Sequence, residues 1–523
     1  MTGPAATTDP TGSGAQPSPG PEPPGGAGGD HRPARSGPGS RRRLVAVLAL
    51  VGLIGTAAAL VGLPAKADDV SRTTADEPQY LLSARSLWDD GDLDISDELA
   101  ARAYEPFHEA TLPTQTRPLD DGRQVSPHDP LLPLVLAVPM GLGGWVAAKA
   151  TLAVLAGVLT ALTAWVTHRR FAVRLGWAAG VAAAFAVVPP LATYGTQVYP
   201  ELPAALVVVA VVGAATARPL RPVHLAVVAV GLVALPWLSV KYAPVVVGLA
   251  AVVGVGLARH GRWRPLLALG AVGAVGAVTF AVGHQVLYGG WTAYAAGDHF
   301  VDGELTVVGS DPDVVGRSVR LVGLLVDARF GLAAWAPAFV LAVPALAALV
   351  RRRPPGWAAL VVPLALGWAN ATWVALTMSG WWWPGRQVVI VVPLIVVAVA
   401  WWVDRVAAVR PWLVAATAWG VASWSWLLAE VLGRRRDLII DFYDTSAPTY
   451  RVAAWLLPDT QAPGATDAVL GLVWTMLLVG LAALGWRSGR PSGAPAAADT
   501  PSGDDPSPPA RPGPASSLPG IGC

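Results

Sequence analysis

The sequence predicts an all-α protein that crosses a membrane many times and carries a large polar loop after its first span. Three observations favour this fold class: 53% of the 523 residues are hydrophobic, only 14% are charged, and the mean hydropathy is +0.49. A soluble domain usually contains about 25% charged residues. The apolar residues form separate runs of the length that membrane helices need, so a polytopic helical protein is expected.

The two ends of the chain differ in composition from the rest. Residues 1–40 and 488–523 are rich in Pro, Gly, Ser and Ala. Such segments cannot bury enough apolar area to offset their chain entropy, so both are expected to be disordered tails that flank a membrane domain over residues 41–487. The first tail is too long and too rich in proline for a cleavable signal peptide, which predicts that the first span is a retained anchor.

Hydrophobic runs predict about twelve spans, and the short runs allow about eleven to thirteen. The runs lie near residues 44–63, 145–167, 175–192, 202–217, 223–239, 243–258, 265–287, 331–350, 357–377, 388–403, 411–432 and 467–486. Arginine-rich connections alternate with polar, acidic ones along the chain. The positive-inside rule then predicts a protein of the plasma membrane with both termini in the cytoplasm. The cluster Arg434–Arg436 falls on the opposite side and breaks this pattern.

The connection over residues 64–130 is the most informative one, because it holds fifteen of the 35 acidic residues. A carboxylate at the centre of a membrane helix costs about 2.5–3.5 kcal/mol, so this loop must lie outside the hydrocarbon. The positive-inside rule predicts that this loop is extracytoplasmic, and we expect the catalytic residues of the protein to lie in it. The one cysteine, Cys523, excludes disulfides and Cys-ligated metals within the chain.

Asp76 and Glu77 in this loop are the candidate catalytic residues. Pro78 disfavours an α conformation at Glu77 and suits the first position of a helix. The apolar residues after it recur on one face, as in an interfacial amphipathic helix. The positive end of that helix favours an ionised carboxylate. Since adjacent side chains point in different directions, one acid is expected to be a base and the other a structural or metal-facing partner. The alternative is a helix cap next to a solvated acid.

Two further polar pairs occur in short motifs. His128 and Asp129 lie in Ser126–Pro133, where the loop returns to the membrane. A His–Asp pair at the lip of a cavity can bind phosphate, orient an acceptor or ligate a metal, although for His128 alone a proline-rich interfacial turn is favoured. Asp327 and Arg329 are interpreted as a local ion pair that positions the start of a helix.

Charged residues also lie at the predicted outer ends of later spans. They are Glu201, Lys241 next to Tyr242, and Arg386 after the three tryptophans Trp381–Trp383. Cations at the edge of a membrane are functional candidates by default. The alternative is snorkelling within an aromatic belt, which is the favoured interpretation for the tryptophans.

In this order, these segments resemble the GT-C superfamily of membrane glycosyltransferases, and in particular the bacterial protein O-mannosyltransferase and aminoarabinose-transferase-like proteins. The resemblance covers about residues 44–486. The motif His128–Pro133 departs from the family at one position, where Asp129 replaces the glycine of the family motif. The motifs that carry the resemblance are Asp76-Glu77-Pro78-Gln79-Tyr80, Gly91-Asp92-Leu93-Asp94, His128-Asp129-Pro130-Leu131-Leu132-Pro133, Tyr199-Pro200-Glu201, Asp327–Leu332 and Arg386-Gln387.

The resemblance implies an inverting transfer of a hexose or pentose from a polyprenyl- or dolichyl-phosphate carrier to an acceptor hydroxyl on the outer face. Asp76 would be the base that removes the hydroxyl proton. Lys241 and Arg386 would bind the phosphate of the leaving group. The substrate site would be completed by Tyr80, His128, Glu201 and Tyr242.

The expected partners are the lipid-linked sugar, a glycan, lipid or protein acceptor, and membrane lipids, with no nucleic acid. The sequence identifies no certain cofactor, and Glu77 and His128 are of the residue types that hold a divalent metal. The rival interpretation is a transporter or flippase of lipid-linked glycans without catalytic activity. A transporter should have functional charges at mid-membrane and at both faces, whereas the enzyme should have them grouped on the outer side. The charged residues of this sequence are grouped on the predicted outer side, which favours the enzyme.

Overall fold

The structure is a computed structural model of the chain, and it describes residues 38–298, 304 and 312–489. These residues form helices, turns and irregular segments, with two isolated β-bridges and no strand within the described ranges. The predicted all-α fold class is therefore confirmed. Most of the two predicted tails, residues 1–37 and 490–523, lies outside the described residues. Residues 38–40 and 488 belong to the first and last helices.

The first four helices frame the polar loop. Helix α1 is followed by the connection that was predicted over residues 64–130, and this connection contains α2 and α3 before α4 begins. Helix α2 was predicted to begin at Pro78, but it begins one residue earlier, at Glu77, with Asp76 as its N-cap residue and Pro78 in its first turn. The bounds are α1 (Pro38–Leu60), α2 (Glu77–Asp89), α3 (Ser96–Ala100) and α4 (Leu131–Arg170).

Helix α4 begins well before the predicted span over residues 145–167. Its regular geometry breaks at Gly143 and Gly144, and Gly144 has φ 61° and ψ −160°, a conformation that only glycine adopts at low cost. The segment before this kink packs against α2. A Cβ on Gly141 would lie 2.0 Å from the indole of Trp88, so glycine is needed for this close approach. The kink thus adds a helical segment that supports α2.

Helix α2 is more buried than the predicted interfacial helix. Nearly every residue of its first two turns is buried, including the polar Gln79 and Ser83. Only at its end does a large apolar side chain, Trp88, become half-exposed. The helix therefore lies within the protein, where its N-terminus is held rigidly.

Six helices follow α4, and five of them occupy runs that were predicted as spans. The run predicted over 175–192 ends early as a helix, because Pro189 and Pro190 lack the N–H groups that would continue it. A short 3₁₀ turn, Val240–Tyr242, joins the helix that ends at Leu238 to the helix that begins at Ala243. The bounds are α5 (Leu175–Ala186), α6 (Leu191–Tyr194), α7 (Glu201–Ala215), α8 (Pro222–Leu238), α9 (Ala243–Arg259) and α10 (Trp263–Tyr288).

The described residues 312–489 contain nine further α-helices. A π-helical turn, Asn370–Val374, extends α15, and a 3₁₀ turn, Arg386–Val391, precedes α16. The bounds are α11 (Val314–Arg317), α12 (Arg320–Val326), α13 (Leu332–Trp335), α14 (Ala342–Arg352), α15 (Trp357–Ala369), α16 (Val392–Arg405), α17 (Arg410–Leu432), α18 (Pro448–Leu456) and α19 (Ala465–Ser488).

The span predicted over residues 331–350 is divided into three short pieces. Ala336 has φ −138° and ψ 81°, which ends α13. Pro337 follows it, and a proline both disfavours the α conformation of the preceding residue and lacks an N–H. The chain continues as a 3₁₀ turn, Pro337–Leu341, into α14. The hydrophobic run alone did not reveal this break.

Eight helical stretches of the described residues are long and apolar enough to cross a membrane. Three shorter apolar helices, α5, α7 and α8, lie between them. These helices agree with a polytopic membrane protein. The predicted count of about twelve spans stays a prediction.

Candidate functional site

Arg386 joins two acidic residues that are far apart in the sequence. Its side chain is 6% exposed and lies at the start of the turn that leads into α16. Its Nη2 donates a hydrogen bond to Oδ2 of Asp76 at 2.5 Å, and its Nε donates to Oε1 of Glu201 at 3.0 Å. The N-terminal ends of α2 and α7 thus meet at one guanidinium group.

Lys241 belongs to the same group. It lies in the 3₁₀ turn between α8 and α9, and its Nζ donates to Oε1 of Glu201 at 2.6 Å. Asn370 donates to the backbone carbonyl of Lys241 at 3.2 Å and so supports the turn. We call Asp76, Glu201, Lys241 and Arg386 the charge cluster. It contains two carboxylates and two cations, and both cations donate to one oxygen of Glu201.

Aromatic rings enclose the two cations. The guanidinium carbon of Arg386 lies 3.9 Å from the ring centroid of Tyr199 and 4.8 Å from that of Trp382. Nζ of Lys241 lies 5.5 Å from the ring of Tyr242. Cations over aromatic faces gain about 0.5–2 kcal/mol, more when water is excluded. The rings therefore help to hold both cations in place.

Asp76 is the member of the charge cluster whose side chain is most exposed, at 23%. Burial favours its neutral form, but the charges of Arg386 and His128 and the hydrogen bond from Arg386 outweigh burial and hold the pKa of Asp76 well below its usual range. The positive end of α2 acts in the same direction. Asp76 is therefore a carboxylate at neutral pH.

Glu77 points away from the charge cluster. It is 1% exposed and accepts hydrogen bonds from the backbone N–H groups of Val198 at 2.8 Å and Thr74 at 3.3 Å. Nζ of Lys149 lies 3.7 Å from its Oε2. These donors already occupy both carboxylate oxygens of Glu77. The geometry therefore favours a structural role for Glu77 over the role of base.

His128 and Tyr80 stack next to Asp76. Their ring centroids are 4.5 Å apart and their planes differ by 16°. Burial, together with the carboxylates of Asp76 and Glu201, raises the pKa of Tyr80 well above its usual value, so its hydroxyl keeps its proton. Among the described residues, neither Glu77 nor His128 belongs to a group of three metal-ligating side chains. A metal on these two residues stays a prediction.

Asp129 and His284 form a buried pair that the sequence analysis missed. Nε2 of His284 lies 2.8 Å from Oδ1 of Asp129, and Oδ2 of Asp129 accepts the backbone N–H of Val240 at 3.0 Å. Val240 directly precedes Lys241. The hydroxyl of Tyr288 donates to the backbone carbonyl of His128 at 2.8 Å. Helix α10 thus holds the backbone at His128 directly and, through Asp129, at Val240.

The three tryptophans before Arg386 are not equivalent members of an aromatic belt. Trp381 is 62% exposed, as the belt predicts, whereas Trp383 is fully buried and Trp382 covers Arg386. The hydroxyl of Tyr194 donates to the carbonyl of Trp383 at 2.6 Å. The belt interpretation is therefore wrong for Trp382 and Trp383, which pack around the site.

The ion pair predicted between Asp327 and Arg329 is also wrong. Buried Asp327 accepts backbone N–H groups of Arg329 and Phe330 through Oδ1, and Thr460 donates to Oδ2. The guanidinium of Arg329 pairs with Asp459 instead, at 2.9 Å. Asp327 organises the start of α13 through backbone hydrogen bonds, so the predicted position was right and the predicted partner was not.

No protein-family model matches the chain, and no curated protein matches it. Two crystal structures of ArnT from Cupriavidus metallidurans are similar to it, one bound to undecaprenyl phosphate and one in the apo state. The TM-scores are 0.49 and 0.47, each at 16% identity over 86% of this chain and 75% of that one.

Proposed function

We propose that this protein is a membrane glycosyltransferase that moves a sugar from a polyprenyl-phosphate carrier to an acceptor hydroxyl. The observation that carries the proposal is the charge cluster, in which Arg386 joins Asp76 to Glu201 and Lys241 donates to the same Glu201 oxygen. The chemistry needs one base and fixed positive charge near a phosphate leaving group. The charge cluster contains both.

Asp76 is proposed as the base. It is ionised and its side chain is partly accessible, whereas Glu201 is 1% exposed and holds both cations. A positioned base typically contributes about 10²–10⁴ in rate. Asp76 would take the acceptor proton as the hydroxyl oxygen attacks the anomeric carbon and the carrier leaves as a phosphate.

Lys241 and Arg386 are proposed to bind the donor phosphate. Because both donate to one carboxylate oxygen, their charged groups are close enough for one phosphate to contact both. Arginine forms bidentate contacts with phosphate, and lysine acts as a point charge. A phosphate that engages Arg386 would weaken its ion pair with Asp76. The pKa of Asp76 would then rise, and the base would become stronger when the donor is bound.

An apolar groove next to the site suits the isoprenoid chain of such a donor. It has a volume of about 880 Å³ and is lined by residues that include Leu87, Pro130, Val233 and Trp237. A second apolar cavity of about 530 Å³ shares Val233 and Trp237 and extends to Val240, next to Lys241. A lipid chain lying there would bring its phosphate to the cations.

The arrangement favours the enzyme over the transporter. The charged residues of the site lie at helix ends and in turns, namely the starts of α2 and α7, the turn before α9 and the turn before α16. Transport would require charged groups along a path through the membrane. We further propose that this end of the bundle faces the outside of the cell, in line with the positive-inside pattern.

The proposal is tested by glycan analysis of membranes from cells that lack the protein. Wild-type protein supplied to these cells should restore a missing sugar, and Asp76→Asn should not. Asp120→Asn, an exposed acid in the same loop, is the matched control and should restore it fully. Complementation by Asp76→Asn at the wild-type level would contradict the assignment of the base.

A further inference from the structure

Three carboxylates that the proposed reaction does not use converge where α2 ends. Asp90 is the C-cap residue of α2, and Asp97 and Glu98 lie in α3. One carboxylate oxygen of each residue lies within 4.8 Å of the others. None of the ion pairs with Lys or Arg in the described residues involves any of the three. Like charges this close repel one another unless a proton or a cation lies between them.

Glu98 adds a second observation. Its residue is 5% exposed, and its Oε2 is buried without a hydrogen-bond partner among the described residues. A buried carboxylate oxygen without a donor is costly, because its hydration is lost and nothing replaces it. Burial, a side-chain hydrogen bond with Asp97 and the charges of Asp97 and Asp90 together raise the pKa of Glu98 to about 8. Oε2 of Glu98 therefore lacks a partner among the described residues, although the carboxyl group shares a hydrogen bond with Asp97.

The geometry points to a binding site for one divalent cation, with Ca²⁺ as the best-suited ion, formed by Asp90, Asp97 and Glu98. Ca²⁺ binds oxygen ligands at about 2.3–2.6 Å, so two ligands of one ion are at most about 4.6–5.2 Å apart. The three carboxylate oxygens all lie within 4.8 Å of one another, which agrees with this spacing. Asp90 and Asp97 are exposed, so water can complete the coordination on their side.

The bound cation would join α3 to the end of α2. Helix α2 carries Asp76 at its other end, so the cation would stabilise the loop that holds the proposed base. The site itself does not depend on the proposed sugar transfer. The competing explanation is a neutral Glu98 that shares a proton with Asp97, and it predicts no cation binding.

Flow dialysis of the purified full-length protein with Ca²⁺ distinguishes the two. We expect one saturable site with a dissociation constant of about 10⁻⁴–10⁻³ M, as in extracellular calcium modules. Glu98→Gln has nearly the size of the protonated side chain, so it should fold, and it should weaken Ca²⁺ binding at least about tenfold. Asp97→Asn should act in the same direction. Glu105→Gln, an exposed acid five residues beyond α3, is the control and should bind Ca²⁺ normally.

Thermal unfolding followed by tryptophan fluorescence provides a readout that is independent of activity. Ca²⁺ should raise the unfolding temperature of the wild type and of Glu105→Gln, but not that of Glu98→Gln. If Glu98→Gln fails to fold, Asp90→Asn replaces it, since Asp90 is exposed. The proposal is overturned if the wild type has no saturable Ca²⁺ site, or if Glu98→Gln binds Ca²⁺ as the wild type does.

Discussion

Replacing Asp76 with asparagine tests the proposed base while changing the site very little. The amide keeps an oxygen that can accept a hydrogen bond from Arg386, which at present donates to Asp76 at 2.5 Å. Arg386 also keeps its hydrogen bond to Glu201 and its contacts with Tyr199 and Trp382. The variant should therefore fold, and the loss of a hydrogen bond between two charged groups should cost at most about 1.5–3 kcal/mol of stability.

The expected effect on the reaction is much larger than this effect on folding. An amide cannot accept the acceptor proton, so kcat should fall by about 10²–10⁴, which corresponds to about 2.7–5.4 kcal/mol in the barrier. Donor binding should be unchanged or tighter, because Asp76 no longer competes with the phosphate for Arg386. The predicted pattern is thus a loss in kcat without a rise in the KM for the donor.

Steady-state kinetics of purified protein with a polyprenyl-phosphate sugar provide the assay, with Asp120→Asn as the control. A rate within about threefold of the wild type would refute the role of base. A loss confined to the KM of the donor would show that Asp76 binds substrate instead. Because Arg386 and His128 hold the pKa of Asp76 well below its usual range, the free enzyme should also show no acid limb from Asp76 in kcat/KM between about pH 5 and 8.

Three further predictions concern binding, positioning and topology. Lys241→Ala and Arg386→Ala should each weaken donor binding by about one to two orders of magnitude in a direct binding measurement. Arg434→Ala, an exposed control, should bind the donor normally. Unchanged affinity in both alanine variants of the site would eliminate the proposed phosphate site. His284→Ala removes the partner of buried Asp129, so it should lower the unfolding temperature and weaken donor binding through Val240 and Lys241, with partial rescue by His284→Gln. Reporter fusions should place position 110 outside and position 500 inside the cell, and an inside location of position 110 would contradict the proposed topology.

The sequence predicted the individual members of the charge cluster but not their pairing. Glu201, Lys241 and Arg386 are candidates because charged residues at the ends of apolar spans are functional candidates by default, whereas Asp76 is a candidate because it lies in the acid-rich loop. Their partners depend on how the helices pack, and Arg386 and Asp76 are separated by 310 positions. The separate roles of Asp76 and Glu77 followed from local geometry, since adjacent residues at a helix start point in different directions.

His284 was missed because α10 was interpreted only as an apolar run. The signal was present in the sequence: a single histidine in a membrane-spanning helix is itself a functional or pairing candidate. Its partner, Asp129, lies 155 positions away, so the pair cannot be found from spacing. The helix break within residues 331–350 could have been predicted from the sequence, because Pro337 disfavours a helical conformation at the preceding residue. It was missed because the hydropathy is high throughout this run.

The most direct test of the central claim is whether purified protein breaks the bond between sugar and phosphate. Proteoliposomes that contain the protein, a polyprenyl-phosphate donor with a labelled sugar, and acceptor glycans or lipids extracted from the same membranes can be analysed for released carrier phosphate and labelled product. The proposed enzyme predicts that both form together in wild-type protein and that neither forms in Asp76→Asn. Movement of intact lipid-linked sugar between the two leaflets, without cleavage, would contradict the account and favour a flippase.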